Sequence, residues 1–233
     1  MKMNSASENT VPLTRIQKLI GKYMLQSKRE GPCCYLETRA DMTDLVAMRR
    51  PYCKKVGVRV TTNDFFFCAI GKAVRKFPLM AGHLEDNGAG VRIPDDVGIG
   101  FAVDASQGLV VPVIKNILGK SLPQIAARSN SLVEKARANK LTLDDFERAD
   151  IVFSGLGMYG VSSFFAIKSP NVAGIISAGK LEERVVPSKG VMTMRKTMSI
   201  GLAVDRRIVD EFYAARFLSR TVELLEAPEM LIA

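Results

Sequence analysis

Residues 108–116 read Gly108-Leu109-Val110-Val111-Pro112-Val113-Ile114-Lys115-Asn116. This stretch and its surroundings decide the class of fold. From Val91 to Asn116 the chain is rich in Val and Ile and is broken at Pro94-Asp95-Asp96 and again at Ser106-Gln107-Gly108. That pattern predicts two or three short strands with a turn at Gly108. Immediately downstream the period changes. Leu122, Ile125, Ala126, Ser129, Leu132, Val133 and Ala136 recur at helical spacing and predict a helix from Ser121 to about Asn139 with one solvated face. Further strands are expected at Ile151–Ser154, Val172–Ala178 and Thr193–Val204, and a last helix from about Asp210 to Leu225.

Upstream, Leu13, Ile16, Leu19, Ile20, Tyr23 and Met24 predict an amphipathic opening helix that stops before Gly31-Pro32. Residues 33–40 alternate like a strand, and Thr43 is a candidate cap for a helix ended by Pro51 or Gly57. Thr62 or Asn63 is the candidate cap of a strongly apolar helix from Asp64 to about Lys76, closed by Phe77-Pro78 and buried on most sides. Helices and strands mix without regular βαβ alternation and without an internal repeat. The expected class is therefore α+β, a layered sandwich rather than a doubly wound nucleotide fold. Residues 1–10 are polar and aperiodic and read as a flexible arm, leaving 11–233 as one domain.

Composition excludes several functions. The chain has 233 residues, 47% of them hydrophobic, enough for one sizeable core. With 18 Gly and 10 Pro it is neither collagen-like nor of low complexity. No apolar run is long enough for a membrane span or a signal peptide, so a soluble intracellular protein with no membrane partner is expected. The 33 basic and 24 acidic residues leave a net charge of +9, which attracts anionic partners in general. The basic residues are dispersed, and no metal module or aromatic RNA motif accompanies them, so no nucleic acid partner is expected. Cys33, Cys34, Cys53 and Cys68 lack Cys-x-x-Cys spacing and read as free thiols, with Cys68 a small core residue. A single histidine, His83, argues against a metal site and reads as a turn residue.

Several segments together resemble the catalytic domain of dihydrolipoamide acyltransferases, the core component of 2-oxo-acid dehydrogenase complexes, related in fold to chloramphenicol acetyltransferase. The resemblance runs from Val11 to Ala233. It is carried by Val11-Pro12-Leu13-Thr14-Arg15-Ile16-Gln17-Lys18-Leu19-Ile20, by the Gly108–Asn116 stretch, by Phe153-Ser154-Gly155-Leu156-Gly157-Met158-Tyr159-Gly160, and by Ser169-Pro170-Asn171 with Ala178-Gly179. It implies a chloramphenicol acetyltransferase-like sandwich, a mixed sheet flanked by helices, forming a homotrimer, either alone or within a larger symmetric core. It also implies coenzyme A or acyl-CoA as substrate, no metal, and other 2-oxo-acid dehydrogenase components as partners. No lipoyl domain is seen. The compartment implied is the cytoplasm, or the mitochondrial matrix in a eukaryote.

The resemblance breaks at its last signature. The family carries Asp-His-Arg-x-x-Asp-Gly, and this chain has Asp205-Arg206-Arg207-Ile208-Val209-Asp210-Glu211. Arg206 therefore stands at the position of the histidine that, in the family, takes the proton of the attacking thiol. A guanidinium presents only donors and cannot accept that proton. Arg206 is read either as a plug, paired with Asp210 or Glu211, or as a binder of phosphate or carboxylate. Ser154 falls at the family's oxyanion-donor position and can equally be a small packing residue. Asp210 is the signature aspartate with a structural role, and the resemblance implies that it pairs with Arg207. Glu211 also suits the start of a helix on dipole grounds. The expectation is a family member with impaired or absent transferase chemistry. Its alternatives are a non-catalytic assembly component and a coenzyme A or acyl-CoA sensor.

Overall fold

A computed structural model describes residues 10–85, 88–105, 108–188 and 190–232. Apart from Thr10, the N-terminal arm expected over residues 1–10 lies outside the described residues. In chain order the elements are α1 (Arg15–Glu30), β1 (Cys33–Asp41), α2 (Thr43–Val56), α3 (Thr62–Val74), β2 (His83–Leu84), β3 (Val91–Arg92), β4 (Ile99–Phe101), β5 (Val103–Ala105) and β6 (Gly108–Val110). They continue with β7 (Val113–Ile114), α4 (Leu122–Arg137), β8 (Ile151–Gly155), β9 (Gly174–Ser188), β10 (Val191–Asp205), α5 (Glu211–Glu226) and α6 (Glu229–Ile232).

One six-stranded sheet organises the molecule, in the order β1-β10-β9-β8-β4-β7. It is mixed: β4, β8 and β9 run parallel to one another, while β1–β10, β10–β9 and β4–β7 are antiparallel. The expected α+β class holds, with more and shorter strands between residues 91 and 114 than the pattern suggested. There β3, β4, β5, β6 and β7 replace two or three strands, and β5 and β6 pair with each other outside the large sheet. Gly108 opens β6 at φ +111°, a conformation that only glycine adopts freely.

Alternation along each strand divides the sheet into two faces. Ile151, Phe153, Ile176, Leu202 and Val204 point into the main core, where helix α3 supplies Phe66 and Phe67. Phe66 lies 5.0 Å from Phe153 between ring centroids, and Phe67 lies 5.1 Å from Phe101 and 5.5 Å from Phe153. The helix is buried on nearly all sides, as its composition predicted. On the opposite face Val152, Ile175 and Ala203 form a smaller cluster with Ala166. This face is crossed by the extended segment 161–169, called here the strap.

Helix ends differ from expectation by a residue or two, for identifiable reasons. The buried helix is capped by Thr61, not Thr62 or Asn63, because Asp64 stands three residues on and completes a reciprocal capping box. Helix α2 is held at its start by Asp41, whose carboxylate accepts from the Thr43 amide and hydroxyl; Thr43 is already helical. Pro51 lies within α2, and Gly57 at φ +68° ends it. Strands β9 and β10 form a hairpin longer than expected at both strands.

Candidate active site

The signature turn joins β10 to α5 and is fastened from beneath. Asp205 is fully buried and receives the Arg207 amide at 3.0 Å, Nε at 3.0 Å and Nη2 at 2.7 Å. Its Oδ2 also lies 2.8 Å from Lys168 Nζ, an ammonium with no exposed side-chain surface. Burial raises the Asp205 pKa, but the hydrogen bonds from Arg207 and Lys168 outweigh it and hold the carboxyl below its usual range. Lys168 reaches this place because the strap is anchored by Ser27 of α1, whose hydroxyl donates to the Lys168 carbonyl oxygen at 2.7 Å. Gly31 makes room: a Cβ there would stand 3.2 Å from both Lys168 Nζ and Asp205 Oδ2.

Asp210 does not have the implied partner. Its Oδ1 accepts from the Tyr213 amide at 2.7 Å and caps α5, while Arg207 pairs with Asp205. The geometry explains the difference, since Arg207 turns back beneath β10 toward a buried carboxylate and Asp210 faces the amides of its own helix. Arg206 points outward. Its amide donates to Pro32 O at 2.9 Å, Nη1 donates to Val209 O at 3.2 Å, and Nη2 lies 3.0 Å from Glu211 Oε2.

Ser154 lies near the end of β8, on the strap-covered face. It sits level with Ser177 of β9 and, through Ser177, with Gly201 of β10. These small residues let the strap approach closely: Ser177 Oγ donates to Phe164 O at 2.5 Å, and a Cβ on Gly201 would stand 2.9 Å from the same oxygen. Among the described residues no group takes up the Ser154 hydroxyl. Arg206 follows Gly201 by five residues. At about 3.3 Å per residue and about 4.8 Å per strand, Ser154 and Arg206 are about 20 Å apart within one chain. The fold does not bring the two together.

His83 is not in a turn. It pairs with Arg92 in the β2–β3 ladder, and its Nε2 shares a 2.6 Å hydrogen bond with Asp150 Oδ1. Asp150 Oδ2 also accepts from the Gly98 amide at 2.6 Å, so the pair ties β2 to the loop before β4. All four cysteines are free, with Cys68 buried. Among the described residues no His, Cys, Asp and Glu cluster could hold a metal ion. Sequence reasoning missed Lys168. The available signal was a lone cation following Phe164-Phe165-Ala166-Ile167, a setting where a charge needs a buried partner.

Comparison with known proteins matches residues 5–233 to the 2-oxoacid dehydrogenases acyltransferase (catalytic domain) family. The chain belongs to this family. The dihydrolipoyllysine-residue acetyltransferase component of the pyruvate dehydrogenase complex from Rickettsia felis is 30% identical over 98% of this chain and 56% of that protein. The lipoamide acyltransferase component of the branched-chain alpha-keto acid dehydrogenase complex from Bacillus subtilis is 31% identical over 96% of this chain and 54% of that protein. The chain thus spans about half the length of these curated relatives. Among solved structures, the Azotobacter vinelandii dihydrolipoamide acetyltransferase superposes with a TM-score of 0.91 at 30% identity, covering 97% of this chain and 95% of that one. The cubic core of a pyruvate dehydrogenase multienzyme complex gives the same TM-score, identity and coverage. Chloramphenicol acetyltransferase, at 12% identity and TM-score 0.53 over 88% of this chain and 94% of that one, shares the fold.

Proposed function

We propose that this acyltransferase core domain carries out transfer between coenzyme A and a lipoyl-type thiol only weakly or not at all, because residue 206 supplies no general base. The Arg206 guanidinium, with donors only and a carboxylate beside it, carries this reading. Studies of the Azotobacter vinelandii enzyme address a serine, a histidine and an asparagine in its catalytic mechanism. In that chain the serine precedes the histidine by as many residues as Ser154 precedes Arg206, and the asparagine follows it by as many as Asp210 follows Arg206. The shared spacing supports the assignment of Arg206 to the histidine's place.

The residual chemistry runs through the thiolate. The thiol loses its proton to solvent, the thiolate attacks the thioester carbonyl carbon, and the carbonyl oxygen gains the charge. Ser154, its hydroxyl otherwise unengaged, donates a hydrogen bond to that oxygen; collapse then expels the other thiolate. Loss of a general base costs about 10²- to 10⁴-fold in rate.

Assembly is the second part of the reading. Ser154 and Arg206 are too far apart to act on one carbonyl within a chain, so a site containing both needs two copies. Helix α1 points the same way, because Leu19, Ile20, Tyr23 and Leu25 are all exposed on the single chain. A homotrimer, built into a larger symmetric core with other 2-oxo-acid dehydrogenase components, covers these surfaces.

The test is acyl transfer between acetyl-CoA and dihydrolipoamide from pH 6 to 9, in the native chain, Arg206→His and Ser154→Ala. Slow transfer that rises with pH and falls in Ser154→Ala supports a weak enzyme. No transfer with coenzyme A still bound favours a sensor, and no transfer without binding favours an assembly component. Native turnover at the level of Arg206→His, with a flat pH profile, refutes the missing-base reading.

A further inference from the structure

The signature turn departs from the family pattern at two positions, and the fold brings the two departing residues into contact. Arg206 Nη2 lies 3.0 Å from Glu211 Oε2, and Nη1 reaches back to Val209 O. Neither backbone position can drift. The Arg206 amide is bonded to Pro32 O, and Arg207 is committed to Asp205 on the inner side. Glu211 is the first residue of α5, next to its Asp210 cap, where the free amides of the helix start favour a carboxylate.

We propose that Arg206 and Glu211 are one coupled replacement in which Glu211 is the positioning residue. Its carboxylate holds the guanidinium folded over the turn and cancels its charge, so the turn presents a closed ion pair. The proposal rests on the reading that residue 206 occupies the histidine's place. Two consequences follow from the pairing. An anion at the Arg206 guanidinium competes with Glu211 for it. Reversal of Arg206 alone gives an imidazole that Glu211 biases toward its protonated form, so it is a weaker proton acceptor at a given pH than it is without Glu211. The other charged and titratable groups around the turn are Lys168, Asp205, Arg207, Asp210, Glu30 and Cys33. Lys168 and Arg207 are engaged by Asp205, Asp210 caps α5, and Glu30 accepts from Gln26. Glu211 is therefore the carboxylate directed at residue 206.

The chain has one histidine, so the imidazole introduced by Arg206→His gives one new signal in an NMR titration, with His83 as internal reference. Its pKa is expected to fall by about half a pKa unit when Glu211→Gln is added, and by less in high salt. In the otherwise native chain, Glu211→Gln is expected to tighten inorganic pyrophosphate binding about threefold at low ionic strength. Adding Arg206→Gln removes that gain. An imidazole titration unmoved by Glu211→Gln, together with unchanged pyrophosphate affinity, overturns the proposal. Both readouts are independent of turnover. If they move while Arg206→His and Arg206→His/Glu211→Gln both fail to transfer acetyl groups, the coupling stands and the missing-base reading falls.

Discussion

Asp205 shows how much a single buried carboxylate can organise. It is shared by Lys168, which is wholly buried, and by Arg207, whose side chain is 31% exposed. Asp205→Asn leaves the Lys168 ammonium without its counter-charge and is expected to cost about 3–5 kcal/mol, read as a fall in the free energy of denaturant unfolding. Arg207→Gln is expected to cost less, because water reaches its guanidinium. A second buried carboxylate sets the acid limit. Asp145 is opposed by burial but engaged by the Thr142 amide and hydroxyl and by Lys135, with Arg128 also paired, and its pKa is lowered to about 2. The unfolded carboxyl titrates near 4. Its stabilisation is therefore complete above about pH 4 and is lost as pH falls through about 2, an effect of up to about 2 kcal/mol. Unfolding free energies at pH 5 and pH 2.5 measure it, and Asp145→Asn removes this part of the difference. Asp205, also lowered, acts in the same direction. Of these residues the sequence marked Asp205 and Arg207, through the signature they belong to. Lys168 and Asp205 meet only because the strap folds back under the turn.

Between elements, the strap and the β9–β10 hairpin matter most. The loop after Ser154 is clamped to β9: Lys180 N donates to Val161 O at 2.7 Å and Leu156 N to Ala178 O at 3.1 Å. A Cβ on Gly179 would run into the carbonyl oxygen of Ser162. Gly179→Ala is expected to destabilise by about 1–3 kcal/mol, read as a lower melting temperature, and to lower any acyl transfer by displacing the loop beside Ser154. Apolar period located β1, α4 and α5, which each turn one face to the core, and continuous apolar runs located α3 and β8, which are buried on nearly all sides. The ends of β9 and β10 escaped that reading for the same reason in reverse. Beyond Ala178 the chain runs Lys180, Leu181, Glu182, Glu183 and Arg184, and there β9 pairs with β10 alone. A two-stranded ribbon has no core to select apolar residues on one side, so Val185, Met192 and Met194 are exposed with the charges.

For the whole molecule, the sheet separates two environments. The helical side is a continuous hydrophobic core, and the strap side is thin, with few apolar residues beneath it. Helix α1 lies almost entirely exposed, with Thr14 and Gln17 completing a capping box at its start. An isolated helix of this length is marginal in water, which favours the proposed cover by another copy. Sedimentation equilibrium is expected to give a mass near three times 25.5 kDa or a multiple of it. Leu19→Glu combined with Tyr23→Glu is expected to shift the chain toward monomer. A native chain that sediments as a monomer at micromolar concentration refutes this assembly. Among the described residues no helix is long and apolar enough to cross a membrane.

The sequence by itself determined the α+β class, the order of most elements, the family and the absence of a proton acceptor at residue 206. Each of these is written in local composition: apolar period, turn and cap residues, and the fixed chemistry of a guanidinium. Tertiary structure alone decided that Arg207 turns to Asp205 rather than Asp210, that a buried Lys168 supports the turn, and that Arg206 closes on Glu211. It alone set Ser154 level with Gly201 across two strands, which by strand spacing puts it about 20 Å from Arg206 within one chain. Those outcomes depend on which residues a strap, a hairpin and a turn bring together from distant parts of the chain, and local pattern carries no record of such distances.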